Sequence, residues 1–195
     1  AVIVVPGGPG TGKSVIAISL VFQLITEARK KNQEAKVKYI TKTRAPRALL
    51  NDVMVDSQPT RNILGSILSG ADVRGLHVAV VDEAHRLAVG RLGNQLDNII
   101  KNNDIVVMFQ DEKQRVSVDD IGTLKDIEEY AKHNNAAFRL MNQLETQFRC
   151  GITSWVEYAL QYPEAKRINL PSERDFDFRI YDTPGEMYED IQKMD

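Results

Sequence analysis

The sequence predicts an α/β fold, a mainly parallel sheet with helices on both faces. Three observations lead there. Ala1-Val2-Ile3-Val4-Val5, Val37-Lys38-Tyr39-Ile40-Thr41, Val78-Ala79-Val80-Val81 and Ile105-Val106-Val107-Met108-Phe109 are short, β-branched, mostly apolar runs, as buried parallel strands should be. Segments with helical apolar spacing lie between them, the alternation that builds strand–helix–strand units. Polar clusters follow the carboxyl ends of the strands, where open α/β sheets bind ligands.

The elements can be taken in order. After the first strand, Val15, Ile16, Ile18, Leu20, Val21, Leu24 and Ile25 recur at helical spacing, and Arg29-Lys30-Lys31-Asn32 is a basic helix end. Residues 37–41 form the second strand. Thr43-Arg44-Ala45-Pro46 turns into a short helix through Leu49 and Leu50, with proline near its start. Residues 63–68 are expected to make a helical turn or two before Gly70. The third strand, 78–81, is apolar throughout and therefore central. Leu96, Ile99 and Ile100 imply a helix, and residues 105–109 a fourth buried strand. Thr123 is the expected cap of a helix that buries Leu124, Ile127 and Tyr130. Residues 138–144 read as a fifth strand and 151–162 as a helix with Ile152, Trp155, Val156 and Ala159 on its apolar face. Phe176-Asp177-Phe178-Arg179-Ile180-Tyr181 alternates like a strand, and Thr183-Pro184-Gly185-Glu186 spells a helix start.

The chain is 195 residues long, which suits one sizeable domain with a small appendage: residues 1–165, then an extra strand and helix over 166–195. With 43% hydrophobic and 27% charged residues it has an ordinary soluble composition. The one cysteine, Cys150, excludes an internal disulfide and makes a reducing cytoplasm the expected compartment. No apolar stretch reaches membrane-spanning length, and the N-terminus lacks the basic start of a signal peptide. The first strand begins at residue 1 without a lead-in, so a piece of a longer protein is expected. A net charge of −2 gives no global signal for nucleic acid, although a local basic patch stays open. No Cys/His spacing fits zinc, and His77 and His133 stand alone.

Chemistry starts at Gly7-Gly8-Pro9-Gly10-Thr11-Gly12-Lys13-Ser14, which matches G-x-x-x-x-G-K-[ST] between a strand and a helix. Glycines let consecutive N–H groups turn inward around a phosphate, and the helix N-terminus adds unpaired donors. Gly8, Pro9, Gly10, Thr11, Gly12, Lys13 and Ser14 are the expected nucleotide-binding residues; Lys13 would reach the β- and γ-phosphates and Ser14 would ligate Mg²⁺. The alternative is a glycine turn that spells the motif by chance. The second signal is Asp82-Glu83-Ala84-His85 at the end of the third strand. In a phosphoryl-transfer site Asp82 would hold Mg²⁺ and Glu83 would position the attacking water; a solvated acidic turn is the alternative. ATP and Mg²⁺ are the expected cofactors.

The order of residues 7–14, 41–44, the D-E-A-H at 82–85, 110–114 and 147–149 resembles the first RecA-like domain of superfamily 1 helicases. More closely, it resembles a bacterial helicase-like ATPase family related to the helicase part of Schlafen proteins. The resemblance covers residues 1 to about 160. It implies that Gln110-Asp111-Glu112-Lys113-Gln114 is the third motif, usually G-D-x-x-Q, with Gln110 in place of glycine, Gln114 sensing the γ-phosphate and Asp111 holding the loop. It implies that Arg149, in Thr146-Gln147-Phe148-Arg149, reaches the nucleotide phosphates, as a bidentate guanidinium suits. It places Lys42, Thr43 and Arg44 where such proteins touch single-stranded nucleic acid; a solvated basic turn is an equally open reading. Phe148 and Trp155 are candidate stacking platforms, with core packing the stronger reading for Trp155. His85 reads as a coupling or structural histidine, and Cys150 as an inert thiol.

The expected function is an ATP-hydrolysing motor domain acting on single-stranded DNA or RNA, catalysed by Lys13, Glu83, Gln114 and Arg149. It would be completed by a second RecA-like domain not found in these residues, with 166–195 as its start or the bridge to it. A P-loop phosphotransferase resembling a nucleotide kinase, and a nucleotide-dependent interaction module without turnover, are the competing readings.

Overall fold

The computed structural model describes residues 1–42, the backbone of 64–66, and residues 73–90, 93–114, 117, 119–146, 158 and 179–193. The chain divides into two compact units, Ala1–Phe148 and Arg149–Asp195. The expected boundary at residue 165 lies outside the described residues.

The first unit is the predicted α/β layer structure. Its strands are β1 (Val2–Pro6), β2 (Val37–Thr41), β3 (Leu64–Ser66), β4 (Val78–Asp82), β5 (Val89–Gly90), β6 (Gly93–Asn94), β7 (Ile105–Gln110) and β8 (Phe138–Leu140). Its helices are α1 (Lys13–Lys30), α2 (Gln95–Asn102) and α3 (Leu124–His133). Among the described residues six strands form one sheet in the order β3-β2-β4-β7-β1-β8, every pairing parallel, while β5 and β6 make a small antiparallel ribbon.

Alternation along the strands divides the core into two layers. Tyr39, Val80, Val107 and Phe109 face α1, where Ala17, Val21 and Ile25 meet them. Val2, Val4, Ile40, Ala79, Val81, Val106 and Met108 point the other way, onto Leu96, Ile99 and Ile100 of α2 and Ile127 and Ala131 of α3. The near-continuous apolar runs follow from this: a strand covered on both faces has no solvent side on which to place polar residues.

Register positions the site. Pro6 pairs with Gln110, Val81 with Met108 and Thr41 with Asp82, so four strands end in a row along one edge of the sheet. β7 lies between β1 and β4. The loops leaving β1 and β4 are thus two strand spacings apart, about 10 Å, with the loop leaving β7 between them.

Helix ends are closed as their residues direct. Thr123 and Asp126 form a reciprocal capping box on α3, and Asn94 caps α2 by accepting from the Asp97 N–H at 3.0 Å. α1 and α3 both end in a Schellman motif with asparagine in the left-handed position. Gln33 N donates to Ala28 O and Asn32 N to Arg29 O; Ala136 N donates to Ala131 O and Asn135 N to Lys132 O.

Three local expectations are corrected. Residues 64–66 are not a helical turn but β3, because the free edge of β2 supplies backbone partners from Tyr39 to Thr41. The fifth strand stops at Leu140; beyond it the chain returns to the sheet at one bridge, Gly7 with Leu144. Arg179, Ile180 and Tyr181 are not strand. No described strand pairs with them, and Arg179 and Tyr181 instead bond Asp190 on α4 (Pro184–Gln192), which Thr183 caps. The helices expected near Leu49 and over 151–162 lie outside the described residues, except Tyr158, which is helical. Among the described residues no helix is long and apolar enough to cross a membrane.

Candidate functional site

The turn from β1 into α1 wraps around its own donors. Gly10 and Gly12 have φ of 75° and 83°, the left-handed region that glycine enters without steric cost. Gly12 is also the N-cap of α1, no side chain caps this end, and no acidic residue occupies the first turn. An 18-residue helix therefore presents uncapped N–H groups and its positive dipole end to the loop. The Thr11 hydroxyl donates to Gly8 O at 2.8 Å, bracing the loop from within. Lys13 is buried, and its ammonium donates to Gly7 O at 2.8 Å and Gly8 O at 2.7 Å. These arrangements can take up a polyphosphate.

Asp82 continues the alternation of β4 onto the α1 face and is 2% exposed. Both of its oxygens are held: Oδ2 accepts the Tyr39 hydroxyl at 2.6 Å and Oδ1 accepts the Glu83 N–H at 3.0 Å. Burial first, and then the Asp82 carboxylate, push the Tyr39 phenol far above its ordinary range; the Ser14 hydroxyl acts on it in the opposite direction and more weakly. Tyr39 thus bonds one of the two predicted metal ligands, Asp82. Sequence reasoning gave it no role, because a tyrosine in an apolar strand reads as core. No signal in the sequence could have found it, since the strand beside β2 is decided by the tertiary structure.

Glu83 stands at φ 56°, ψ 42°, a left-handed conformation uncommon for a non-glycine residue and frequent at functional sites. Its carboxylate faces His85, with Oε2 3.1 Å from Nε2, although the N–H is not aligned for a full hydrogen bond. That contact is the main cause holding the Glu83 carboxyl below its usual range, against partial burial and helped by Lys13 and Arg86. His85 is fully buried, and its Nδ1 accepts the Asp111 N–H at 3.2 Å, which leaves the ring proton on Nε2 toward Glu83.

Asp111, at the end of β7, gathers these parts. Its Oδ2 lies 3.5 Å from Lys13 Nζ, its Oδ1 accepts from Lys113 N, and its carbonyl accepts from Gln114 N. One residue thereby touches the phosphate-loop lysine, the histidine of the D-E-A-H turn and the turn containing Gln114. Gln110, which stands where the related motif has glycine, is 1% exposed; its carbonyl accepts Gly7 N at 3.0 Å, and its buried side-chain amide nitrogen has no hydrogen-bond partner among the described residues.

The structure brings Lys13, Ser14, Asp82 and Glu83 to one edge of the sheet. Gln114 closes the short turn Glu112–Gln114 beside them through its backbone. Lys42 is exposed and donates to Arg86 O at 2.6 Å, tying the end of β2 to the D-E-A-H turn. Thr43, Arg44 and Arg149 lie outside the described residues. A second residue without a sequence-level role is Gly122, whose backbone packs directly on Ala84 and His85.

For a hard cation the donor set fits. Among the described residues no cluster of three His, Cys, Asp or Glu side chains could cage a metal ion. Mg²⁺ ordinarily uses one or two protein oxygens and completes its shell with water and phosphate. A carboxylate at Asp82 and a hydroxyl at Ser14 are such a pair.

The family model for the Schlafen group 3 DNA/RNA helicase domain matches residues 1–195. No curated protein matches the chain. Solved structures that match include the helicase domain of Hef from Pyrococcus furiosus, at 12% identity over 74% of this chain and 35% of that one, with a TM-score of 0.43. The chain thus spans about a third of that structure's length.

Proposed function

The chain belongs to the Schlafen group 3 DNA/RNA helicase-domain family, and from that premise we propose that it is an ATP-binding and ATP-hydrolysing motor domain of the superfamily 1 type. One observation carries the reading. The uncapped start of α1 with Lys13 and the Asp82–Glu83 turn leave the same sheet edge on either side of β7, linked through Asp111 and His85.

The residues divide the work. Backbone donors of residues 10–14 and the Lys13 ammonium hold the β- and γ-phosphates. Asp82 and Ser14 would hold Mg²⁺, which when bound neutralises charge on the phosphate oxygens. Glu83 stays ionised and orients the attacking water, its carboxylate fixed from the side by His85. As the resemblance implies, Gln114 would sense the γ-phosphate, Arg149 would reach the nucleotide phosphates, and Lys42, Thr43 and Arg44 would meet a single strand of DNA or RNA. Positioning dominates this chemistry, so a site held through shared partners suits it. A second RecA-like domain closes the nucleotide site, and unwinding depends on it.

Glu83→Gln tests the reading. ATP binding is retained and hydrolysis is lost by at least about a hundredfold, the scale on which a positioned catalytic group acts. Unchanged turnover would move the assignment to a phosphotransferase. Turnover measured with and without single-stranded DNA or RNA identifies the polymer, and lack of stimulation in the full-length protein would count against a motor.

A further inference from the structure

We infer that Tyr39 is a positioning residue for the metal–nucleotide site, its hydroxyl presetting the orientation of the Asp82 carboxylate. The inference deepens the proposed function and rests on it, since Asp82 is taken there as a metal ligand.

The argument begins with what the hydroxyl does not do. Tyr39 is 1% exposed in the layer between α1 and the sheet, among Ala17, Val21, Val80 and Phe109. A phenylalanine would supply the same ring to that layer. A hydroxyl taken from water into such surroundings is unfavourable unless it gains a partner. Its partner is Asp82 Oδ2 at 2.6 Å, a short charge-assisted bond. The other oxygen of the same carboxylate accepts the Glu83 N–H. A carboxylate gripped through both oxygens cannot turn about its Cβ–Cγ bond without breaking one contact. Mg²⁺ demands near-ideal octahedral geometry, so a preset ligand plane matters more for it than for a tolerant cation. Groups that hydrogen-bond a metal ligand from behind typically change metal affinity by about 10- to 100-fold when removed.

The test is Tyr39→Phe, read by binding of a fluorescent non-hydrolysable ATP analogue in EDTA and then across a Mg²⁺ titration. In EDTA the variant should bind within about twofold of wild type, which also reports an intact phosphate loop; the Mg²⁺ concentration giving half the metal-dependent enhancement should rise about tenfold. On an Asp82→Asn background the same substitution should add nothing, because the hydroxyl acts through that carboxylate. A wild-type Mg²⁺ midpoint in Tyr39→Phe, or a full effect persisting beside Asp82→Asn, overturns the inference while leaving the proposed function standing. A wild-type protein that ignores Mg²⁺ or fails to bind the analogue overturns both. Should Tyr39→Phe unfold, 3-fluorotyrosine at position 39 keeps the hydroxyl and reports by ¹⁹F NMR. Its resonance should move with the Mg²⁺–analogue pair and not with the analogue in EDTA, and a resonance blind to Mg²⁺ refutes the role.

Discussion

Replacing Gly122 by alanine should both destabilise the first unit and misplace its D-E-A-H turn. A Cβ at this position would stand 1.8 Å from the Ala84 carbonyl oxygen, 2.6 Å from the Ala84 carbonyl carbon and 2.8 Å from His85 Cα. Ordinary carbon contacts are about 3.5 Å, so the two backbones must part by about 1.5 Å. Neither can slide aside easily: Ile121 N donates to Leu87 O at 2.7 Å, and Ala88 bridges Asp120. Overpacking ordinarily costs about 1–3 kcal/mol, and a clash with backbone on both sides belongs at the upper end. At about 2–4 °C per kcal/mol for a unit of this size, Tm should fall by about 6–12 °C. The displaced residues, Ala84 and His85, follow directly on Glu83, and a 1 Å misplacement can cost about a hundredfold in rate, so on the proposed function kcat should drop far more than nucleotide affinity. Thermal unfolding and steady-state ATP hydrolysis read the two effects. Gly90→Ala is the control, since among the described residues no atom beyond its chain neighbours lies within 4 Å of the added Cβ; it should change stability by less than about 0.5 kcal/mol. A Gly122→Ala protein that melts within 2 °C of wild type, on the scale used above, would falsify the packing argument.

Other outcomes follow from the same contacts. Lys13→Ala should abolish the rise in Tm that saturating ATP gives wild type, because binding to the folded state is what produces it; a retained shift would place the phosphates elsewhere. His85→Leu removes the acceptor of the buried Asp111 N–H, costing about 1–3 kcal/mol in denaturant unfolding. It also removes the main cause of the lowered Glu83 pKa. A depressed carboxyl pKa gives stability that is present above the unfolded-state value and lost as pH falls through the folded-state value. The contribution of Glu83 in wild type is therefore lost only below the usual glutamate range, and His85→Leu should lose that contribution. A Glu83→Gln comparison at several pH values isolates this contribution, and identical acid profiles in the two backgrounds would remove His85 as its cause. Lys42→Met should alter stability by no more than about 0.5 kcal/mol, its bond to Arg86 O being solvent-exposed. If Lys42 meets a phosphate, the variant should reduce the salt dependence of single-strand binding by about one unit of slope, as measured by titration at several ionic strengths.

Much of this molecule was legible in one dimension because the responsible physics is local. β-branched runs between helical segments identified β1, β2, β4 and β7, since strands covered on both faces must be apolar. Gly10, Gly12 and Lys13 were legible because a backbone curled around phosphate requires glycine at particular steps. Thr123 and Thr183 were legible because a helix start needs a side-chain acceptor within three residues. What escaped depends on which strand neighbours which. β3 reads as a helical turn and becomes a strand only because β2 offers a free edge. Tyr39 reads as core until β2 is set beside β4, whereupon its hydroxyl meets Asp82. Asp111 acquires its partners because β7 is inserted between β1 and β4, and Gly122 its purpose because residues 120–122 cross over the D-E-A-H turn. The sequence alone determined the fold class and the phosphate and acidic motifs, through preferences that act within a few residues. Only the tertiary structure decided which side chains bind those motifs into one site, because strand order joins residues that the chain holds far apart.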